Sequence, residues 1–215
     1  MRMIFTVLSK SAKNGNKCVA GICDNGTLVR IVSDDESNDG AIPNWYIKNS
    51  TKGLDIRVLD RIEVEVKAYL PNDIQPENYL VDLDTMPTVL NRVPLDRIID
   101  QMKLIEDYDT FVFMNQNRYL NETEAIQVGY SLKFIIAKNV CIRKIIFNDI
   151  PKTRVDFVYN GIEYRNISLT DYDFFEGECY EFARAGLFIS LAHRPFTKSG
   201  ENRYYKIIAK VFPLD

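Results

Sequence analysis

Histidine is almost missing from this 215-residue chain: His193 is the only one. The four cysteines, Cys18, Cys23, Cys141 and Cys179, contain no Cys-x-x-Cys pair. One histidine and such cysteines cannot complete a zinc site of ordinary spacing, so buried free thiols are expected and no metal. Cys18 and Cys23 share a predicted hairpin but point to opposite faces, and Cys141 and Cys179 lie far from them in other surroundings. No apolar run approaches the roughly 18–20 residues that span a bilayer, which predicts no membrane segment. The first ten residues, Met1 to Lys10, are too short and too soon charged for a signal peptide and read as a first strand, so the cytoplasm is the expected compartment. A Gly-rich phosphate loop and a Gly-x-Ser-x-Gly element are also missing. His193 alone assembles no nucleophile and base, and the pairs Asp82/Asp84 and Asp171/Asp173 read as loop or helix-cap residues rather than a divalent-metal site. No catalytic constellation, no enzyme activity and no cofactor are expected.

What is present begins with a β-hairpin over residues 17–34. Asn25-Gly26 is the dipeptide that best tolerates the positive φ values of a type I′ turn, with strand formers on both sides. A two-residue turn sets Ile22 against Val29 and Ala20 against Ile31 on a buried face. It sets Cys23 against Leu28, Gly21 against Arg30 and Lys17 against Asp34 on the other. Gly21 there would let another backbone approach closely.

Along the chain, Met3–Lys10 reads as a strand, 11–16 as a loop, and Asp34–Gly40 as an acidic loop. The segment 41–53 holds Pro43 and the lone Trp45. Ile62, Val64, Val66 and Ala68 alternate with Glu63, Glu65 and Lys67, which predicts a strand with one wet face. A short strand, Tyr79–Leu83, follows. The middle differs. Pro94 precedes Leu95, Ile98, Ile99, Met102 and Ile105 at helical spacing, and Asn121 with Glu124 marks a second helix start. β character returns at 131–137 and 140–147. A second hairpin over Thr153–Leu169 turns at Asn160-Gly161 and pairs Tyr159 with Ile162 and Phe157 with Tyr164. Residues 171–184 are ambiguous, with Phe174, Phe175, Phe182 and Ala183 suiting a helix that Gly177 weakens. Residues 186–192 and 203–212 read as strands, and 193–202 as a loop. The expected fold is mainly β (α+β): two small barrels, 1–85 and 128–215, joined by a docked helical connecting segment, 86–127.

Charge is distributed unevenly beneath a net −3. Residues 1–30 hold five basic side chains against Asp24, 128–154 hold six against Asp149, and 184–210 hold six against Glu201. Residues 71–127, by contrast, carry eleven acids against four bases, and 155–183 seven against Arg165. Three basic segments permit a basic face on an acidic protein, yet a protein that wraps duplex would be far more basic.

Three stretches carry a family resemblance: Lys17-Cys18-Val19-Ala20-Gly21-Ile22 with Leu28-Val29-Arg30-Ile31-Val32-Ser33; Gln75-Pro76-Glu77-Asn78; and Ile189-Ser190-Leu191 with Tyr205-Lys206-Ile207-Ile208-Ala209. Together they resemble the dual OB-fold domain family of bacterial proteins, with Leu28 standing where that family often has an aromatic. The resemblance spans nearly the whole chain. It implies two OB-like barrels and a nucleic-acid-binding tendency, and it brings no catalytic residues with it.

OB barrels bind on the face of their second and third strands, which makes Lys17 and Arg30 candidate phosphate contacts. The plainer reading is solvated charge, with Lys17 facing the acidic loop. In the last segment Arg194, Lys198, Arg203 and Lys206 interleave with Phe196, Tyr204 and Tyr205. Cations that track a backbone beside rings that stack on bases are the chemistry of single-strand binding. Single-stranded DNA or RNA is therefore the expected partner, and a scaffold domain that binds other proteins is the alternative.

Overall fold

The computed structural model describes every residue except 14, 49–52, 54, 105–108 and 215. Ile105, the last apolar residue of the first helical pattern, lies outside the described residues. Contacts divide the chain into two units, Met1–Asn72 with Pro76–Glu106, and Asp73–Gln75 with Asp107–Asp215.

The first unit contains β1 (Arg2–Lys13), β2 (Asn16–Ile22), β3 (Leu28–Val32), α1 (Asn44–Lys48), β4 (Asp60–Tyr69), β5 (Asn78–Val81), β6 (Thr88–Arg92) and α2 (Leu95–Leu104). Strands β1, β2 and β3 form an antiparallel meander. β3 then pairs parallel with β5, β5 antiparallel with β4, and β4 antiparallel with β1, so the sheet closes on itself. β6 adds to the outer edge of β4. The alternation read in β4 holds as far as Val66: Ile62, Val64 and Val66 point into a core with Phe5, Val19 and Ile31, whereas Ala68, past a register shift against β5, is exposed. Ile98 of α2 is buried, and Gln101 donates to the Cys23 carbonyl at 2.8 Å, which fixes this helix to the first hairpin.

The second unit contains β7 (Tyr119–Asn121), α3 (Glu122–Val128), β8 (Leu132–Phe147), β9 (Ile150–Tyr159), β10 (Ile162–Leu169), β11 (Cys179–Leu191), β12 (Phe196–Lys198) and β13 (Glu201–Pro213). Its connectivity repeats the first. β8, β9 and β10 meander, β10 pairs parallel with β13, β13 antiparallel with β11, and β11 returns to β8. Phe157 and Tyr164 stack in this core with centroids 5.0 Å apart. The residues expected as a bridge, 86–127, are shared out, with α2 in the first unit and α3 in the second.

Two strand candidates, 131–137 and 140–147, merge into the single β8. A bulge between Lys138 and Cys141, with Asn139 at φ 50°, re-aims the strand midway. The loop expected at 11–16 is mostly strand, and the ambiguous 171–184 is a 3-10 turn at Tyr172–Phe174 followed by β11.

The two Asn-Gly turns fold differently. Asn160 and Gly161 both take positive φ, 51° and 78°, and the expected pairs Tyr159–Ile162 and Phe157–Tyr164 form. At the first hairpin only Gly26 is left-handed, at φ 88°. Gly26 donates to the Cys23 carbonyl, Cys23 donates to the Thr27 carbonyl, and Thr27 donates to Asn25 Oδ1. This is a three-residue loop, a type I turn closed by a left-handed glycine, and it slips the register by one. Gly21 faces Val29, Ala20 faces Arg30 and Ile22 faces Leu28, which corrects the expected pairing. A one-residue slip exchanges the faces of a whole strand. Val29 and Ile31 still look into the core, but Val19 and Gly21 oppose them. Gly21 does permit a close approach: a Cβ there would sit 2.1 Å from the Thr6 carbonyl oxygen of β1. Ala20 and Ile22, on the other face, are buried as well, so the surface predicted to be open is covered.

Candidate nucleic-acid interface

β13 begins beyond the barrel's rim, where β7 and β12 flank it to make a three-stranded ribbon. Successive side chains alternate between its faces. Tyr204 points inward with its β7 partner Leu120, and both are buried. Arg203 and Tyr205 point the other way, beside Tyr119 on β7 and Phe196 on β12. Tyr119 and Tyr205 lie 5.6 Å apart, Phe196 meets Tyr205 at 6.3 Å, and the Arg203 guanidinium sits 4.6 Å from the Tyr119 ring centre. Phe196 is 58% exposed, so its ring is open to a ligand. Glu201 pairs with Arg203 at 2.6 Å beside this ledge.

Beside the ledge lies an open cleft of about 710 Å³ lined by Gln116, Asn117, Arg118, Tyr119, Arg165 and Asn166, among others. Arg165 and Asn166 belong to β10, the third strand of the barrel, so the cleft borders the face that OB barrels use for ligands. Burial lowers the Arg154 pKa, with a smaller contribution from the neighbouring Arg118, and Glu163, also in the cleft, pairs with Arg165 at 2.8 Å. Tyr119 is common to ledge and cleft.

Lys206 does not belong to this surface. It points inward at 1% exposure, lies 5.4 Å from the Tyr164 ring centre, and donates to the Asn115 carbonyl at 2.6 Å and to Asn115 Oδ1 at 3.1 Å. Burial lowers its pKa to about 7, against a smaller opposite pull from Glu124. Asn115 in turn donates to Glu124, whose carboxylate accepts from the Asn121 amide in the capping box that starts α3. The chain carrying Arg118 and Tyr119 is thus anchored from below by buried polar contacts.

Arg30 is corrected in the same way. It is 2% exposed, its Nη1 donates to Asn78 Oδ1 at 2.9 Å, and its amide donates to the Glu77 carbonyl. Lys17 is half-buried and bridges by its backbone to Ile42, not to Asp34. Burial lowers its pKa, and Lys48 adds to that shift. Arg194 and Lys198 are exposed, but the loop expected over 193–202 contains β12, which carries Lys198. Of the six predicted contacts, Arg194, Lys198 and Arg203 lie in the accessible part of the second unit, and Lys17 and Arg30 belong to the first. A cleft of about 750 Å³ in the first unit is lined by Asp24, Arg61, Asn91, Arg97 and Gln101, among others, but Arg61 is engaged by Asp24 at 3.1 Å. His193 bonds Gln75 through Nδ1 at 3.2 Å, and Gln75 also donates to the Leu191 carbonyl.

Sequence reasoning missed Tyr119 and Arg118, because a three-residue strand inside an acidic, helical stretch gives no periodic signal. Among the described residues no helix is long and apolar enough to cross a membrane.

Two five-stranded closed barrels, each with its third and fifth strands parallel, define a dual OB-fold protein. The chain belongs to the Dual OB-containing domain family, whose pattern it matches over residues 3–211. Comparison with curated proteins and with solved structures returned no match.

Proposed function

We propose that this protein is a non-catalytic module that binds single-stranded nucleic acid through the ledge and cleft of its second barrel. OB-fold domains are often nucleic-acid binders, and the observation that carries the proposal here is the Tyr119–Tyr205–Phe196 ledge with Arg203 laid on it. Rings offer faces to any base, and Arg118, Arg194 and Lys198 supply charge for the phosphates. The net charge of −3 disfavours duplex wrapping. Ile146, Phe147 and Ile150, exposed around the β8–β9 turn, favour a protein-binding scaffold as the second reading.

The test is a titration of labelled single-stranded DNA and RNA in about 50 mM salt, where charges are little screened. Binding should exceed that to duplex and weaken with added salt. Changing Phe196 and Tyr205 together to Ala should lower affinity about tenfold or more, since each stacked base contributes roughly 1–3 kcal/mol, and should leave the melting temperature in place. No binding at tens of micromolar protein, or equal binding by the double variant, would overturn the proposal and advance the scaffold.

A further inference from the structure

The four cysteines were expected to be buried free thiols, yet Cys179 is exposed, the other three are half-buried, and the barrel brings Cys141 and Cys179 together. Cys141 on β8 stands in register with Glu181 on β11, and Cys179 lies two residues before Glu181. Side chains two apart on a strand share a face, so all three project from one side of the sheet. That side is outward: Val140 and Ile142 flank Cys141 and are buried in the core, and Tyr180 packs against the same core. The two sulfur atoms and a Glu181 carboxylate oxygen all lie within 4.8 Å of one another.

We propose that Cys141, Cys179 and Glu181 form a binding site for a thiophilic divalent cation, with zinc the best fit. Tetrahedral zinc, with bonds of about 2.3 Å to sulfur and 2.0–2.2 Å to oxygen, sets its donors about 3.5–3.8 Å apart. Donors within 4.8 Å need only small side-chain rotations to reach that spacing. Two thiolates select a soft cation over magnesium or calcium, and water completes the fourth position. On binding, the two thiols release their protons to solvent, so affinity rises with pH.

The surroundings agree. Asp156 on β9 stands in register with Cys141 on the side opposite Glu181, adding negative charge to the same row. It is held in place by accepting from Arg143 at 2.8 Å and from the Asn166 amide at 2.6 Å, so it serves as an outer partner and not a ligand. Arg143, the nearest cation on β8, bonds Asp156 and Asn166, so its charge is already matched. Cys179 and Glu181 are exposed, which gives the ion an open route in. None of the three proposed ligands lines the ledge or cleft, and the site stands whether or not nucleic acid binds there.

The experiment titrates fully reduced full-length protein with zinc against a chromophoric chelator, and repeats it with cadmium while following the ultraviolet thiolate-to-metal band. One ion per chain is expected. Cys179→Ser should weaken binding beyond the roughly 10–100-fold that loss of an outer-shell partner costs, and Glu181→Gln about tenfold. Changing Cys18 and Cys23 together to Ser should leave affinity unchanged. Melting curves check that each variant folds; Glu181→Gln, an exposed and nearly isosteric change, still tests the site if a cysteine variant does not. No stoichiometric zinc at micromolar concentration, full affinity in Cys179→Ser or Glu181→Gln, or an equal loss in the Cys18/Cys23 variant would overturn the proposal.

Discussion

Both barrels bury a cation beside the seam where their parallel strands meet, and they do so with different chemistry. In the first, Arg30 stands in register with Asn78 across the β3–β5 ladder and clasps its side chain. It sits on the face of β3 away from the core, under cover. In the second, Lys206 immediately precedes Ile207 of the β10–β13 ladder and turns inward to Asn115. Each cation meets amide oxygens among its partners. The difference lies in the proton: a guanidinium keeps its charge anywhere in a protein, whereas a buried ammonium can shed its own. A basic residue in an OB strand is therefore no guide to a ligand surface until its neighbours are known.

Removing the first cation should have the largest effect. Arg30→Ala leaves a cavity and removes the hydrogen bond to Asn78 Oδ1, a loss on the order of 3 kcal/mol or more in urea denaturation. A change below about 0.5 kcal/mol, the range of ordinary surface substitutions, would show that Arg30 is exposed after all.

The second cation separates the barrels by pH. Lys206 has an ordinary value of 10.5 when unfolded and about 7 when folded. Between those limits the unfolded chain holds a proton that the folded chain lacks, so this group makes stability rise with pH from about 7 to 10.5. Below about 7 the folded lysine is protonated and its burial penalty is fully present. Lys206→Met should remove that rise, and Arg30→Ala should leave it. An identical pH slope in wild type and Lys206→Met would refute the depressed pKa. Arg30→Lys sharpens the contrast, since it should import a similar pH dependence into the first barrel.

The smallest effects belong to the turns. Gly26→Val and Gly161→Val each force a β-branched residue to positive φ and should cost more than ~1 kcal/mol. An unchanged denaturation midpoint in either would mean that its turn does not need a left-handed residue.

These turns also show where sequence reading succeeded and where it stopped. Asn-Gly announced both hairpins, and most long strands and the helices α2 and α3 were legible from periodicity and capping, whereas the short α1, β6 and β7 were not. What Asn-Gly does not specify is loop length. At Asn160 both turn residues are left-handed, whereas at Asn25 the side chain accepts the Thr27 amide and the loop takes a third residue. That single residue moved Ala20 and Ile22 of β2 to the face of Arg30. Arg30 keeps the predicted face, away from the core, and is buried because that face is covered. The ledge was legible as far as its residues are local: Phe196, Arg203 and Tyr205 lie within one hairpin. Tyr119 and the Cys141–Cys179 pair depend on strand registers set by distant segments and by the β8 bulge, which no local pattern records.

The second barrel's seam has a kinetic consequence. Only Ser168 and Leu169 pair with Ile207 and Ile208 there, while β8 and β11 share eleven register pairs. Thr170 extends the seam by one hydrogen bond to Ile208, and the Asp171 carboxylate accepts the Val211 amide. Strands joined by so short a ladder meet only after the long antiparallel pairs have formed, because closing the larger loop costs entropy that few contacts return. The same seam is then the first to part in the folded protein. Amide exchange should be faster at Thr170 and Val211 than along β8, as the sheet opens into a strip and recloses without unfolding.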